Sequence, residues 1–193
     1  MAIRKRIWIY NDALPTFNQS FLTSNASNIS TFSLSNDYIS SSSFLTGGTN
    51  QYNYADMTNV TDYTIQAGDY LEYAVYWVGT GNIQMSMDLH LSDGGSLRDA
   101  VGVTDQNGLS PHPSTDLSSR AYQKWYHRVI PITTFTNGSS IGKTLSVYNL
   151  VAEFDSAGTQ VAYYKNIAIT DGKGPAVYNT KNFMNFTGST NGY

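Results

Sequence analysis

Residues 69–91 read DYLEYAVYWVGTGNIQMSMDLHL, and their apolar side chains recur at every second position. Because alternate side chains of a strand point to opposite faces, this period predicts two β-strands rather than a helix. The predicted inward faces carry Leu71, Tyr73, Val75 and Trp77 in the first strand and Ile83, Met85, Met87, Leu89 and Leu91 in the second. The polar side chains predicted to face outward in the second strand are Gln84, Ser86, Asp88 and His90. Gly79-Thr80-Gly81 between the strands predicts a short hairpin.

The same period recurs further along the chain. It predicts strands at WYHRVIPI, TLSVYNLVAEF and QVAYYKNIAI, with residues 155–159 of hairpin length between the last two. At the start, Ile7 and Ile9 alternate with Trp8 and Tyr10 in a predicted first strand. No apolar pattern of helical period is long enough to predict a helix. The fold class is therefore all-β: an antiparallel two-sheet β-sandwich of jelly-roll type with long loops.

The 193 residues suit one domain. We assign residues 1–175 to a single sandwich and residues 176–193 to a polar C-terminal tail. Residues 21–62 are rich in Ser, Thr and Asn. They predict either strand-and-loop decoration of the sandwich or an arm that orders against a partner subunit.

The composition narrows the range of partners. Charged residues make up only 13% of the chain, whereas about 25% is typical, and tyrosine occurs 15 times. Such a surface favours neutral, hydroxyl-rich partners. A net charge of -3 provides no basic footprint for nucleic acid, and no apolar window predicts membrane insertion. The absence of cysteine excludes disulfides and thiolate chemistry.

The basic run Arg4-Lys5-Arg6 resembles the start of a signal peptide. It is followed by Ile7 to Tyr10 and then by Asn11 and Asp12, so the apolar h-region of about 7–15 residues does not follow. We therefore expect no signal peptide, and a protein that acts outside the cell or on a virion surface would reach that place by another route.

Catalytic motifs are missing from the sequence. There is no nucleophile elbow, phosphate loop or metalloprotease motif. Asp88 and His90 share a predicted strand face and are candidates for a metal or acid/base pair, with an ordinary solvated face as the alternative. His127 and Arg128 point to opposite faces of their strand, so at most one enters a given site. We predict that the protein is not an enzyme.

Aromatic residues among polar neighbours point to glycan binding instead. A sugar ring presents an apolar face and a rim of hydroxyl groups, which suits an aromatic side chain beside hydrogen-bonding groups. The stretch QYNYAD, a predicted loop, provides Tyr52, Tyr54 and Asp56. A second set around the long connection after residue 104 consists of Arg98, Asp99, Arg120, Tyr122 and Trp125. Packing of the aromatic residues in the core or at a sheet edge is the alternative.

Four segments resemble the galactose-binding-like β-sandwich modules, a family of carbohydrate-binding modules. These segments are residues 125–132, 141–144, 158–169 and 9–14. The resemblance implies non-catalytic glycan binding, commonly as an appendage of a hydrolase. Asn166 stands where many members carry an aspartate that helps to hold calcium.

A structural calcium ion is a further expectation for such a sandwich, because a hard cation can tie terminal strands through oxygen ligands. The candidates are Asn11, Asp12 and Asp171, if the first and last strands are neighbours; turn formation is the alternative role of these residues. No other cofactor is expected.

Three functions remain open at this point. The first is a glycan-binding sandwich acting outside the cell on a polysaccharide or cell-surface glycan, with a capsid decoration or fibre-head protein of a phage-type virion as its more specific version. The second is a purely structural virion or assembly protein, with capsid or tail proteins and further copies of itself as partners. The third is an accessory module of a glycoside hydrolase or lyase.

Overall fold

The computed structural model describes residues 5–10, 19–23, 28–34, 38–45, 51–57, 60, 62–79, 83–114 and 122–172. In chain order, its strands are β1 (Arg6–Tyr10), β2 (Gln19–Thr23), β3 (Asn28–Leu34), β4 (Ile39–Leu45), β5 (Gln51–Met57), β6 (Tyr63–Thr64), β7 (Tyr70–Trp77), β8 (Met85–Leu91), β9 (Trp125–Pro131), β10 (Thr134–Phe135), β11 (Gly138–Ser139), β12 (Thr144–Phe154) and β13 (Gly158–Thr170). Within these ranges no helix has the length and hydropathy that a membrane crossing requires.

Two main antiparallel sheets contain nearly all of these strands. Sheet 1 has the order β3-β4-β13-β7-β9, and β1 also pairs with β13. Sheet 2 has the order β2-β5-β12-β6, and β8 also pairs with β12. Asn149 of β12 is opposite both Asp56 of β5 and Asp88 of β8, so β5 and β8 flank β12. The predicted all-β sandwich is confirmed.

Apolar side chains from both sheets meet in the core between them. The predicted inward residues Leu71, Tyr73, Val75, Trp77, Met85, Met87 and Leu89 are each 0% exposed. Burying each large apolar side chain contributes about 1.5–3 kcal/mol. Nε1 of Trp77 in sheet 1 donates to the carbonyl oxygen of Met85 in sheet 2 at 2.8 Å, which satisfies the one polar atom of the indole. The predicted inward faces of these two strands are confirmed.

The two predicted hairpins are wrong. β7 pairs with β9 and β13 in sheet 1, whereas β8 pairs with β12 in sheet 2, so the connection with Gly79-Thr80-Gly81 joins different sheets. β12 and β13, joined by residues 155–157, also lie in different sheets. Both strands of each pair bury an apolar face in the same core from opposite sides. The period of two identifies that face but not the partner strand.

The alternation predicted for the first strand holds only in part. Ile9 and Tyr10 are both buried, whereas Ile7 is 39% and Trp8 is 38% exposed. The register of β1 against β13 shifts between Trp8 and Tyr10. A β-bulge at such a shift interrupts the strict alternation of faces, which explains why two successive side chains are buried.

The polar face of β8 is covered rather than solvated, which corrects the outward prediction. Gln84, Ser86 and Asp88 are 1%, 0% and 0% exposed. After β8 the chain turns back, and the Leu97 amide donates to the Leu89 carbonyl oxygen at 2.9 Å. The returning segment, residues 92–114, lies over Ser86 and Asp88 and contacts both of them.

Arg128 of β9 holds part of this segment in place. Its Nε donates to Oδ2 of Asp105 at 2.9 Å, and its Nη2 donates to the carbonyl oxygens of Leu109 and Ser110 at 3.1 and 2.8 Å. Its Nη1 donates to the Tyr73 hydroxyl at 3.2 Å. Both members of the Arg128–Asp105 ion pair are buried, so the segment is tied to the sandwich by charged groups in its interior.

Residues 21–62 contribute β3, β4 and β5 to the two sheets. β4 pairs with β13 and β5 pairs with β12, so both are hydrogen-bonded to central strands. The predicted tail, residues 176–193, lies outside the described residues.

Candidate functional site

Tyr52, Tyr54 and Asp56 share the outer face of β5 in sheet 2. The loop predicted here is wrong, because these residues belong to a strand that pairs with β2 and β12. Ala55, between them, is buried in the core. A strand with small and polar residues at its inward positions has a weak apolar period, which is why the sequence resembled a loop.

The guanidinium of Arg98 lies over both tyrosine rings. Its Cζ is 4.3 Å from the ring centroid of Tyr52 and 5.4 Å from that of Tyr54, distances typical of cation–π contacts. Nη1 donates to the Tyr54 hydroxyl. Nε and Nη2 donate to the two carboxylate oxygens of Asp99 at 3.1 and 2.7 Å. Since a guanidinium has five N–H donors, these bonds leave donors for a ligand.

His112 and Glu153 extend this group. The Tyr52 hydroxyl donates to Oε1 of Glu153 at 3.1 Å. Nδ1 of His112 lies 3.4 Å from Oε2 of Glu153, and its Nε2 lies 3.4 Å from Oδ1 of Asp99. Burial and the Glu153 carboxylate raise the pKa of Tyr52 to about 12, so its hydroxyl remains a donor at neutral pH.

Asp88 and His90 of β8 lie beside this group. The Asp88 carboxylate accepts hydrogen bonds from Ser96 Oγ at 3.1 Å and from the Arg98 amide at 2.8 Å. Its Oδ2 is also 2.9 Å from Nε2 of His90. The hydrogen bond to Asp88 raises the pKa of His90, and the charge of Asp56 acts in the same direction. Both oxygens of Asp88 are engaged, which leaves this carboxylate poorly suited to acid/base chemistry.

We call the side chains on this face the Arg98 cluster: Tyr52, Tyr54, Asp56, Asp88, His90, Arg98, Asp99, His112 and Glu153. It unites five of the eight predicted glycan-binding residues, which had been assigned to two separate sets. Asp99 is 39% exposed and the Arg98 side chain is 13% exposed, so solvent reaches the ion pair. The cluster therefore offers donors and acceptors beside aromatic rings at the surface of sheet 2.

Sequence reasoning did not place His112 and Glu153 beside the tyrosines of β5. Glu153 is directly opposite Tyr52 in the β12–β5 ladder. His112 comes from the segment that Arg128 holds at Leu109 and Ser110. The position of Glu153 therefore depends on strand register, and that of His112 depends on where its segment is held. Neither can be derived from composition.

Two of the other three predicted glycan-binding residues, Tyr122 and Trp125, are not placed with Arg98. The third, Arg120, lies outside the described residues. Tyr122 packs against the hydrophobic core. Trp125 starts β9 and lies on the outer face of sheet 1, whereas Arg98 and Asp99 lie over sheet 2.

Trp125 belongs to a row of four aromatic side chains across sheet 1. Ring centroids are 4.7 Å apart for Tyr38 and Tyr163, 5.9 Å for Tyr163 and Tyr76, and 5.8 Å for Tyr76 and Trp125. Nζ of Lys165 lies 4.6 Å from the Trp125 ring centroid. Cross-strand aromatic pairs of this kind stabilise a sheet.

A charged group lies further along the same face of sheet 1. Oε1 of Glu72 is 3.2 Å from Nη2 of Arg6 and 3.0 Å from Nε2 of His127. Burial acts to raise the pKa of Glu72, but the His127 hydrogen bond and the Arg6 charge outweigh it and lower the pKa to about 2. His127 thus points away from the core that holds Arg128, as predicted.

The calcium site stays a prediction. β1 and β13 are neighbours, as the hypothesis required, with Arg6 opposite Thr170 and Tyr10 opposite Ile167. Asp171 follows directly after Thr170, whereas Asn11 and Asp12 lie outside the described residues. In the part of the chain that the structure describes, no three His, Asp or Glu side chains are grouped so as to hold a metal ion.

No protein-family model and no curated protein sequence matches the chain. Several solved structures are similar in fold, and three of them are compared with this chain. A structure of carbohydrate-binding modules from the β-sandwich superfamily is 9% identical and has a TM-score of 0.46, with 78% of this chain and 56% of that one covered. An agarase is 11% identical with a TM-score of 0.51, over 89% of this chain and 25% of the agarase. An exo-β-agarase is 10% identical with a TM-score of 0.46, over 85% of this chain and 24% of the exo-β-agarase.

This chain thus spans about half of the first structure and about a quarter of each agarase. At such identities the likeness is one of fold. It is consistent with the β-sandwich fold that the sequence resemblance implied.

Proposed function

We propose that this protein is a non-catalytic glycan-binding β-sandwich and that the Arg98 cluster is its binding surface. The observation that carries the proposal is the Arg98 guanidinium stacked on Tyr52 and Tyr54 and bonded to Asp99. Sugar hydroxyl groups both donate and accept hydrogen bonds. A fixed cationic donor beside an exposed carboxylate acceptor suits them.

The cluster is also rigid before any ligand arrives. Asp99 holds two nitrogens of Arg98, Tyr54 contacts a third, and Arg98 is anchored through its own amide to Asp88. Little side-chain freedom then has to be lost on binding, which favours affinity.

A glycan array with Arg98→Ala tests the proposal. We expect the parent protein to bind at least one polysaccharide and the variant to lose about tenfold or more in affinity, since hydrogen bonds to a charged group contribute about 1.5–3 kcal/mol each. Lys143→Ala is the matched control. It removes one cation from another surface ion pair, Lys143 with Asp93 at 3.0 Å, outside the cluster. A parent that binds no glycan, or an Arg98→Ala variant that binds as well as the control, would contradict the proposal.

Catalysis is tested with the same substrates. If the protein is non-catalytic, polysaccharides that it binds release no new reducing or unsaturated ends on long incubation. Release of such ends by the parent but not by Arg98→Ala would make the cluster an active site instead.

The place of action is a further part of the proposal: outside the cell, with the surface of a phage-type virion as a more specific version. Its support is the charge-poor composition with 15 tyrosines. Detection of the chain in purified particles, together with capsid or tail proteins, would support the virion version.

The accessory-module alternative rests on the likeness to part of an agarase, of which this chain spans 25%. Discovery of the chain within a longer hydrolase or lyase would favour it.

A further inference from the structure

We infer that the Arg98 cluster selects uncharged glycans and excludes polysaccharides that carry sulfate or carboxylate groups. The inference rests on the proposed function and specifies its ligand class. It follows from the balance of charges in the cluster and from the way in which each cation is already paired.

The cluster contains more carboxylates than cations. Its four carboxylates are Asp56, Asp88, Asp99 and Glu153, and its cationic groups are Arg98, His90 and His112. Even with both histidines protonated, four negative charges face at most three positive charges. With neutral histidines, the excess of negative charge is three. The sign of the net charge is therefore the same in either state.

Each cationic group is also paired with a carboxylate of the protein. Arg98 presents Nε and Nη2, the two nitrogens of one bidentate edge, to Asp99 at 3.1 and 2.7 Å. Anionic groups are commonly recognised through such a paired edge, and here it is occupied. His90 lies 2.9 Å from Asp88. His112 lies 3.4 Å from both Asp99 and Glu153.

The carboxylates of the cluster, by contrast, outnumber these cationic groups. In the amide orientation that satisfies its hydrogen bonds, the Asn149 nitrogen donates to Oδ1 of Asp56 at 2.6 Å. Asp99 remains 39% exposed. An incoming sulfate or uronate would meet these charges, whereas a hydroxyl group can donate to them.

Two matched pairs of polymers test the inference. In each pair one member is uncharged: agarose with carrageenan, a sulfated galactan, and hydroxyethylcellulose with carboxymethylcellulose. Affinity electrophoresis of the parent should show retention by an uncharged member at least about tenfold stronger than by its anionic counterpart, because like charges at an interface are strongly unfavourable. Raising the ionic strength from about 0.05 to about 0.5 M should narrow this ratio, because salt screens repulsion.

Two substitutions localise the effect. Asp56→Asn keeps an acceptor for Asn149 but removes one charge, and Asp99→Asn also frees the paired edge of Arg98. Each should raise relative binding of the anionic polymer by about threefold or more, the effect of one charge a few ångströms away in a watery setting. Asp93→Asn is the control, because it makes the same change in net charge at the surface pair with Lys143.

Equal or stronger binding of the anionic member would overturn the charge selection while leaving glycan binding intact. Equal changes in all three variants would assign the discrimination to total charge and would overturn the role of the cluster. Absence of binding to any of the four polymers and to a glycan array would reject the proposed function and this inference together.

Discussion

Two arginines of this protein make similar contacts at different depths. Arg128 and Arg98 each bind an aspartate and the hydroxyl group of a tyrosine. The Arg128 side chain is 1% exposed and its partner Asp105 is 0% exposed, whereas Arg98 and Asp99 are 13% and 39% exposed. Arg128 also bonds to backbone carbonyl oxygens, so every contact it makes is to the protein interior. Arg98 keeps N–H donors for a partner in solvent.

The difference indicates what each ion pair contributes. A buried charge without its partner is very unfavourable, so Arg128 and Asp105 depend on each other and fix the segment that carries His112. An exposed pair contributes little to stability, typically about 0–1 kcal/mol. Arg98 is therefore explained better by binding than by folding. The predictions below test this division through effects on stability, in decreasing order of size.

Replacing Arg128 with Met should have the largest effect. The substitution keeps a long apolar side chain but leaves the Asp105 carboxylate buried without a counter-ion. We expect a loss of about 3–5 kcal/mol in the free energy of unfolding, measured by urea denaturation. Arg98→Met is the matched control, with an expected loss below about 1 kcal/mol. Similar losses in the two variants would remove the distinction between the arginines.

Glu72, on the outer face of sheet 1, should confer a dependence on acid pH. Its pKa of about 2 lies below the usual 4.5 because His127 and Arg6 stabilise the carboxylate against the effect of burial. A lowered pKa contributes stability above the unfolded pKa, and the contribution is lost as pH falls from about 4.5 through about 2. Between neutral pH and pH ~3, the parent should lose about 2 kcal/mol that a Glu72→Gln variant does not lose.

The test for Glu72 compares how the free energy of unfolding depends on pH in the parent and in Glu72→Gln. Urea denaturation of both proteins at several pH values separates Glu72 from the other acidic groups, because those titrate alike in the two proteins. Parallel profiles would show that the Arg6 and His127 contacts do not hold the carboxylate ionised.

The sequence predicted the core better than the connections. The period of two in residues 69–91 identified side chains that are fully buried, because successive side chains of a strand point to opposite faces and the apolar set lies on one of them. It misplaced the strands that follow each other, since β7 and β8, and likewise β12 and β13, lie in opposite sheets. It also assigned Ser86 and Asp88 to a solvated face. The segment after β8 covers both side chains, and no periodic pattern in the sequence indicates that cover.

Residue type points to five members of the Arg98 cluster but not to their arrangement. Aromatic and hydrogen-bonding side chains suit a sugar, and this chemistry singles out Tyr52, Tyr54, Asp56, Arg98 and Asp99. Their contacts depend on the turn that brings Arg98 back over β5, a long-range placement that composition does not determine. Trp125 has the same chemistry, yet its strand belongs to the other sheet.

Replacing Trp125 with Ala should have an intermediate effect on stability. The substitution removes the ring contact with Tyr76 and the cation–π contact with Nζ of Lys165. We expect the free energy of unfolding to fall by about 1–2 kcal/mol. Binding at the Arg98 cluster should be unchanged, because Trp125 lies on the other sheet. A glycan array together with urea denaturation checks both parts, with Phe44→Ala as the control, since Phe44 is an aromatic residue that is 40% exposed. Loss of glycan binding in Trp125→Ala alone would place the binding surface on sheet 1.

The smallest effect on stability is expected for Arg98→Lys. Lysine keeps the positive charge, so the free energy of unfolding should change by less than about 0.5 kcal/mol. It lacks the planar group that stacks on Tyr52 and the paired edge that fits the Asp99 carboxylate. Glycan affinity should therefore fall almost as far as in Arg98→Ala. If lysine instead restores full binding, the site requires a cation but not a guanidinium, and the stacked geometry of Arg98 is not what recognises the glycan.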